Sequence, residues 1–339
     1  MKATSSAPGK IILSGEHAAV YGKPALITAV ASYVRCHVAP NPANDLLFQS
    51  ESFEPLAVTA DALRERHRAA LMKLEEFDAG KIQIIDVLSR DNDLLSLSWS
   101  ELDAAYPNRL STNTALQISS ELPAGCGMGS SAAVCAAALS ALAAASELNV
   151  QEDELYERCL RLERFQHGTP SGADPYIAVH GGCVLFEKGR SAITIGVPAV
   201  PLYIVQTGRP DSTTGEAVAE VRRTHGKSRI WDQFASTSKA IAESASTGDI
   251  PESVRLMREN HRLLVEIGVV PEQVQEFVHE IESAGGAAKI SGAGSVRGDA
   301  AGAVLVCAEQ APESLCSRYG YALTHIKGES RGVHVLDPG

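Results

Sequence analysis

Positive charge is scarce in this chain: 30 Lys and Arg stand against 41 Asp and Glu in 339 residues, for a net charge of −11. That balance argues against a broad nucleic-acid or anionic-membrane surface. It leaves room for a local anion site, because backbone N–H groups bind phosphate without any basic residue. The seven cysteines form no C-x-x-C, so a zinc ribbon or thioredoxin-type motif is not expected. Most sit beside Ala, Val or Leu and read as buried thiols of a reduced compartment. Long hydrophobic runs are also missing. The longest mainly apolar stretch, Ala132 to Ala145, is mostly alanine and too short to span a bilayer. The apolar residues after Lys10 are broken by Glu16 and His17, unlike a signal peptide. There is no fixed-period repeat and no low-complexity linker. A soluble cytoplasmic protein is expected. What remains is ordinary globular composition, 45% hydrophobic and 21% charged, in a length suited to two domains.

Residues 11–38 read as strand, turn, strand, punctuated by Gly15, Gly22 and Pro24. A charged amphipathic helix is expected over 58–76 with Thr59 as N-cap, and an Ala-dense helix over 130–145. Residues 81–88 and 116–120 read as short strands. A helix over 151–166 ends at His167-Gly168. Beyond a Pro- and Gly-rich loop at 168–174, residues 182–187 and 193–205 read as strands. Helical texture takes over at 215–225, 229–247, 251–266 and 271–284. Strand, glycine loop and strand follow at 287–291, 292–302 and 303–307, with a last strand near 332–336. Strands and helices mixed in both halves give an α+β class.

One segment has the makings of an anion site: Pro123-Ala124-Gly125-Cys126-Gly127-Met128-Gly129-Ser130-Ser131-Ala132-Ala133. Glycines at alternate positions let a backbone approach an anion closely and adopt positive φ. The helix that follows offers unpaired N–H groups and partial positive charge. Ser130 and Ser131 add hydroxyls at its first turn. No Gly-Lys-Ser/Thr follows, so this is not a Walker A loop. Taken alone, a Ser-capped glycine turn with no ligand is an equally good reading.

The N-terminal segment Ala7-Pro8-Gly9-Lys10-Ile11-Ile12-Leu13-Ser14-Gly15-Glu16-His17-Ala18-Ala19-Val20-Tyr21-Gly22 changes that balance. It resembles the first motif of the mevalonate kinase branch of the GHMP kinases: P-G-K, a short apolar run, then G-E-H-A-V-V-x-G. The glycine segment is similar to the second motif, P-x-G-x-G-L-G-S-S-A-A, with Met128 for Leu. Gly168-Thr169-Pro170-Ser171-Gly172-Ala173-Asp174 looks like H-G-x-P-S-G-x-D, and Lys289-Ile290-Ser291-Gly292-Ala293-Gly294 like the start of the third motif. Four motifs in order across residues 7–302 make the resemblance specific.

The resemblance implies the two-domain GHMP kinase fold. A ribosomal-protein-S5-like N-terminal domain would span 1–190 and bind ATP. A ferredoxin-like C-terminal domain with added helices would span 191–339, with the active site in the cleft between them. The implied reaction moves the γ-phosphoryl group of ATP to the 5-hydroxyl of mevalonate, with Mg²⁺. By motif position Pro123, Gly125, Cys126, Gly127, Met128, Gly129, Ser130 and Ser131 would cradle the nucleotide, and Ser131 and Glu163 would hold Mg²⁺. Asp174 would act on the acceptor hydroxyl, with Lys10 stabilising transition-state charge. Glu16, His17, Arg209, Gly292, Ala293 and Gly294 would face the acceptor. By fold analogy the helix at 58–76 could act as a lid, and a homodimer is a possibility the sequence does not decide.

The third motif departs from the family pattern. Gly294 is followed by Ser295-Val296-Arg297-Gly298-Asp299 instead of further glycines. Arg297 could contact phosphate or pair with Asp299. The identity of the acceptor is what this change bears on most, and another small-molecule kinase of the superfamily, such as phosphomevalonate kinase, is the alternative. A non-catalytic binding protein on this fold would be expected to have lost Lys10, Glu163 or Asp174, and all three are present. A purely structural oligomerisation protein leaves the four motifs without an account.

Overall fold

The computed structural model describes residues 1–43, 45–51, 53–88, 93–122, 127–196 and 201–337. The chain opens with β1 (Ala3–Ser14), β2 (Ala25–Pro40), β3 (Leu46–Ser50) and β4 (Phe53–Val58). Helices α1 (Ala60–Asp78) and α2 (Asp93–Ala105), strand β5 (Thr114–Ser120) and helices α3 (Ser130–Ala145), α4 (Glu152–His167) and α5 (Ala173–His180) follow. Then come β6 (Cys183–Phe186), β7 (Ile193–Ile195) and β8 (Leu202–Gln206). Four helices, α6 (Thr214–His225), α7 (Ile230–Thr247), α8 (Ile250–Glu266) and α9 (Glu272–Ser283), lead to β9 (Ala287–Ile290) and β10 (Ala303–Cys307). Helix α10 (Glu313–Tyr319), β11 (Ala322–Ile326) and β12 (His334–Leu336) close the chain.

Two sheets organise these elements. The first runs β12-β1-β2-β5-β3-β4, with β6 pairing β2 and β7 pairing β6; the second runs β11-β8-β10-β9, all antiparallel. The expected α+β class is what is seen. The expected break at 190/191 falls inside a hairpin, since β6 pairs with β7 across it. The chain also returns: β12 pairs with β1, and the Gly182 and Ala31 amides donate to the carbonyls of Glu329 and Lys327. Strand β12 is therefore built into the first sheet, not the second.

Helix α3 is the centre of the first layer. Most of its alanines are buried, which lets β1, β2 and the helices α2, α4 and α5 approach closely. Trp99, Phe48 and Phe165 are fully buried in the same core. The six described cysteines are free and buried. Helix α1 starts where expected, Thr59 accepting from the Ala62 amide at 3.3 Å. It is fastened along its length, by Arg64 to Asp103 at 2.7 Å and by Arg164 to Asp78 at 2.7 Å.

Two expected strands differ. Residues 81–88 form a single tight helical turn at Ile84–Asp86, because Asp86 accepts from the Gln83 amide at 3.0 Å and closes it. The run at 193–205 divides into β7 and β8, which belong to different sheets. Among the described residues no helix is long and apolar enough to cross a membrane.

Candidate active site

The first sheet places Lys10 by a local irregularity. Register slips between Pro8 and Gly9 where β1 pairs with β2. A side chain at Gly9 would collide with Leu122, and the Lys10 amide donates to the Met128 carbonyl at 2.9 Å. The strand is thus stitched to the loop entering α3. Gly129 precedes that helix at φ +70°, and a Cβ there would stand 2.8 Å from Lys10 Cγ and 3.6 Å from Asp174 Oδ2. Glycine is required by both conformation and space.

Lys10 Nζ lies 3.2 Å from Asp174 Oδ1. The lysine side chain is 6% exposed and the aspartate 33%, so the pair is open on the carboxylate side. Asp174 is carried on the first turn of α5. Behind it Glu163 is 2% exposed, and its carboxyl is pushed up to about 7 by burial first, then by the charge of Asp174. The Ser131 hydroxyl and Lys10 pull the other way. Oxygen Oε1 of Glu163 is buried with no hydrogen-bond partner. Such an orphaned hard oxygen is costly unless something cationic completes it. His167 Nε2 sits 3.5 Å from Glu163 Oε2, and burial lowers its imidazole below the usual range.

The second half of the chain closes over this cluster. A Cβ on Gly127 would lie 3.3 Å from the Ser291 carbonyl oxygen, which brings the glycine loop against the loop after β9. His17 Nε2 lies 2.9 Å from the Ala293 oxygen; a carbonyl only accepts, so this nitrogen carries the proton. Burial lowers the His17 imidazole. Its φ of 57° is positive, and the Ala18 amide donates to the Glu16 carbonyl across it at 2.6 Å. That is a γ-turn, a strained conformation held by its surroundings.

One expected acceptor contact is corrected. Glu16 does not face an open pocket: it is 1% exposed and ion-paired with the fully buried Lys289, with Asn260 Nδ2 3.4 Å from its second oxygen. Arg209 is exposed on the loop after β8 and makes no ion pair among the described residues. Pro123, Ala124, Gly125 and Cys126 lie outside the described residues. Arg297 pairs with Glu216 at 2.8 Å, and Asp299 is not its partner. Ser295, 1% exposed, meets Ser212 Oγ at 2.9 Å and donates to the Arg297 carbonyl at 2.7 Å. The altered third motif therefore braces the loop after β8 instead of leaving a bare glycine cradle.

The residues that sequence reasoning passed over are Lys289 as a charge partner, Asn260 and Ser295. Lys289 had a visible signal. A lone cation in the apolar run Ala287-Ala288-Lys289-Ile290 must find a carboxylate once that strand is buried.

Comparison with known proteins agrees with this architecture. The sequence pattern of the GHMP kinases N terminal domain matches residues 96–182, and that of GHMP kinases C terminal matches 239–298. The mevalonate kinase of Thermococcus gammatolerans is 30% identical over 305 residues, covering 87% of each chain. That of Archaeoglobus fulgidus is 29% identical over 292 residues, covering 86% of this chain and 88% of its own. The crystal structure of the Methanococcus jannaschii mevalonate kinase superposes with a TM-score of 0.79 at 20% identity, covering 96% of this chain and 98% of its own. On its sequence and its fold, this chain belongs to the GHMP kinase family, in the mevalonate kinase branch.

Proposed function

We propose that the protein transfers the γ-phosphoryl group of ATP to the 5-hydroxyl of mevalonate, giving 5-phosphomevalonate. The observation that carries this reading is the Lys10–Asp174 contact at 3.2 Å, set beneath a glycine loop that opens a sixteen-residue helix. Phosphoryl transfer needs positioning and charge stabilisation more than covalent chemistry. The N-terminus of α3 supplies N–H donors for phosphate, with the Ser130 and Ser131 hydroxyls at its first turn. Asp174 takes or orients the acceptor proton, and the Lys10 ammonium stabilises charge on the reacting oxygens.

Ser131 and Glu163 would hold Mg²⁺. The unpartnered, buried Oε1 of Glu163 fits that role, because a hard cation takes oxygen donors. When bound, the ion would neutralise phosphate charge. His17, held to the Ala293 carbonyl, faces the acceptor. Gly292 and Gly294 let the third loop approach it, and a Cβ on Gly294 would run into the Val269 carbonyl. Arg209, exposed on the loop after β8, would pair with the acceptor carboxylate.

The test offers mevalonate, phosphomevalonate, homoserine and galactose to the purified chain with ATP and Mg²⁺, and identifies product by mass and NMR. Phosphorylation of mevalonate at the 5-hydroxyl is expected. Turnover of another acceptor in its place would overturn the substrate assignment and keep the kinase.

Two variants probe the machinery. Gly129→Ala is expected to cut kcat/KM by roughly 10–100-fold, since it displaces Lys10 and Asp174 together. The same variant should cost about 1 kcal/mol of stability in a urea titration, from φ strain.

Glu163 sets a pH dependence. Its folded carboxyl titrates near 7, above the usual 4.5, so the native state holds the proton more tightly than the unfolded one. The stability that this proton provides is complete below 4.5 and is lost as pH rises through 7. Glu163→Gln is therefore expected to be more stable than the parent at pH 8, by about 1–3 kcal/mol, and no more stable at pH 4. Activity runs the opposite way. The parent should show an acid limb in kcat/KM near 7 as this group loses charge. The Gln variant should be nearly inactive at any pH.

A further inference from the structure

A cavity of about 750 Å³ lies behind the loop that carries Asp174. Asp174 and Tyr176 are two residues apart on α5, so they point roughly 200° apart around the helix. Asp174 meets Lys10; Tyr176 lines the cavity. The cavity is therefore a second site and not an extension of the catalytic cluster. Its volume is that of a small-molecule pocket.

The lining has a consistent chemistry. Tyr156, Tyr176 and Phe186 make an aromatic wall, with Tyr176 5.8 Å from Tyr156 and 5.6 Å from Phe186 between ring centroids. Arg164, Lys188 and Arg190 stand at its edge, and no Asp or Glu is among the lining residues. In a chain with net charge −11 such a lining is unusual, though not all of its cations are uncompensated. Arg164 and Arg190 each hold a carboxylate, Asp78 and Glu187. Lys188 has none among the described residues, and its ammonium donates to the Pro170 carbonyl at 3.1 Å.

Pro170 belongs to the segment 168–172 that leads into Asp174. Arg164 Nε reaches the Gly168 carbonyl of the same segment at 3.4 Å. A side chain on Gly172 would stand 2.7 Å from the Tyr156 hydroxyl, so loop backbone and aromatic wall are in contact. We propose that this cavity binds an organic anion with a flat aromatic body, held by the aromatic wall and Lys188, and that the segment 168–172 is ordered by its occupancy. Stacking suits an aromatic plane, and an ammonium without a carboxylate partner suits a sulfonate, carboxylate or phosphate.

The probe is 8-anilinonaphthalene-1-sulfonate, titrated by fluorescence into the full chain held with saturating ATP and Mg²⁺ to occupy the catalytic cleft. Saturable binding is expected, with slowed amide hydrogen exchange at 168–172 and 188–192. Lys188→Ala on the exposed hairpin, and Ala192→Trp filling the cavity, should each weaken it about tenfold or more. Lys188→Ala alters an exposed side chain, so its result does not depend on whether the tryptophan is accommodated. No saturable binding overturns the proposal. So does a site seen without ATP but lost with saturating ATP, unchanged affinity in Lys188→Ala, or exchange protection confined to other segments. Binding is read without turnover, so these outcomes are separate from any failure of the kinase assignment.

Discussion

Replacing Asp174 by Asn is expected to lower kcat by roughly 10²–10⁴-fold while leaving the KM for ATP within a few-fold. The side chain keeps its size and can still lie beside Lys10, so the loss is one of charge and proton acceptance. Asp174 stands on the exposed side of its contact, at 33% exposure, where an acceptor hydroxyl can reach it. The lysine is nearly enclosed by the glycine loop and serves from behind. Lys10→Met should therefore be damaging by a comparable factor, and the double variant should be little worse than either single one. Groups acting as a unit are non-additive in this way. Steady-state kinetics on the three variants, with nucleotide affinity measured separately, decides the matter. An Asp174→Asn variant retaining a tenth of parent kcat would remove the pair from the chemistry.

What the sequence made legible follows from how local each signal is. Thr59 before a charged amphipathic run fixes the start of α1, and the structure shows the cap. The motif glycines announce backbone close to something, and Gly9 and Gly129 are each crowded by a particular neighbour. The partners of the acceptor-side residues were not legible, because they lie more than 200 positions away. Glu16 reads as a pocket residue from its own neighbourhood; only the fold reveals Lys289 against it. Arg297 had a carboxylate two residues on, yet Glu216 of α6 takes it. Ile84 and Ile85 suggest strand alternation, but Ile85 is 79% exposed and the segment closes into a capped helical turn. The short β12 carries too few residues to announce which sheet it joins.

Lys289→Met is expected to be the most destabilising single change considered, by about 3–5 kcal/mol, because it strands the buried Glu16 carboxylate. The lysine side chain is fully buried, and burial pulls its ammonium below the ordinary range while Glu16 pushes it back. Its Nζ also donates to the carbonyls of Ile12 at 3.1 Å and Ile290 at 2.8 Å. Ser291 Oγ accepts from the Ile12 amide at 3.1 Å. The end of β1 is thereby fastened to β9 and the third loop, two residues beyond Lys10 and just before the His17 turn. Glu16→Gln should cost less, since the amide keeps the shape and can bond Asn260 and Lys289. The double variant should be less destabilised than the sum of the singles, and the difference measures the pair. Urea titrations of the four proteins supply that cycle. A Lys289→Met loss below about 1 kcal/mol would mean that the carboxylate is solvated or protonated at no cost. Kinetics separates anchoring from mere stability. If the junction positions the catalytic strand, folded Glu16→Gln protein should show a raised KM for the acceptor with the KM for ATP unmoved. A purely structural pair would lower the melting point and leave both KM values alone.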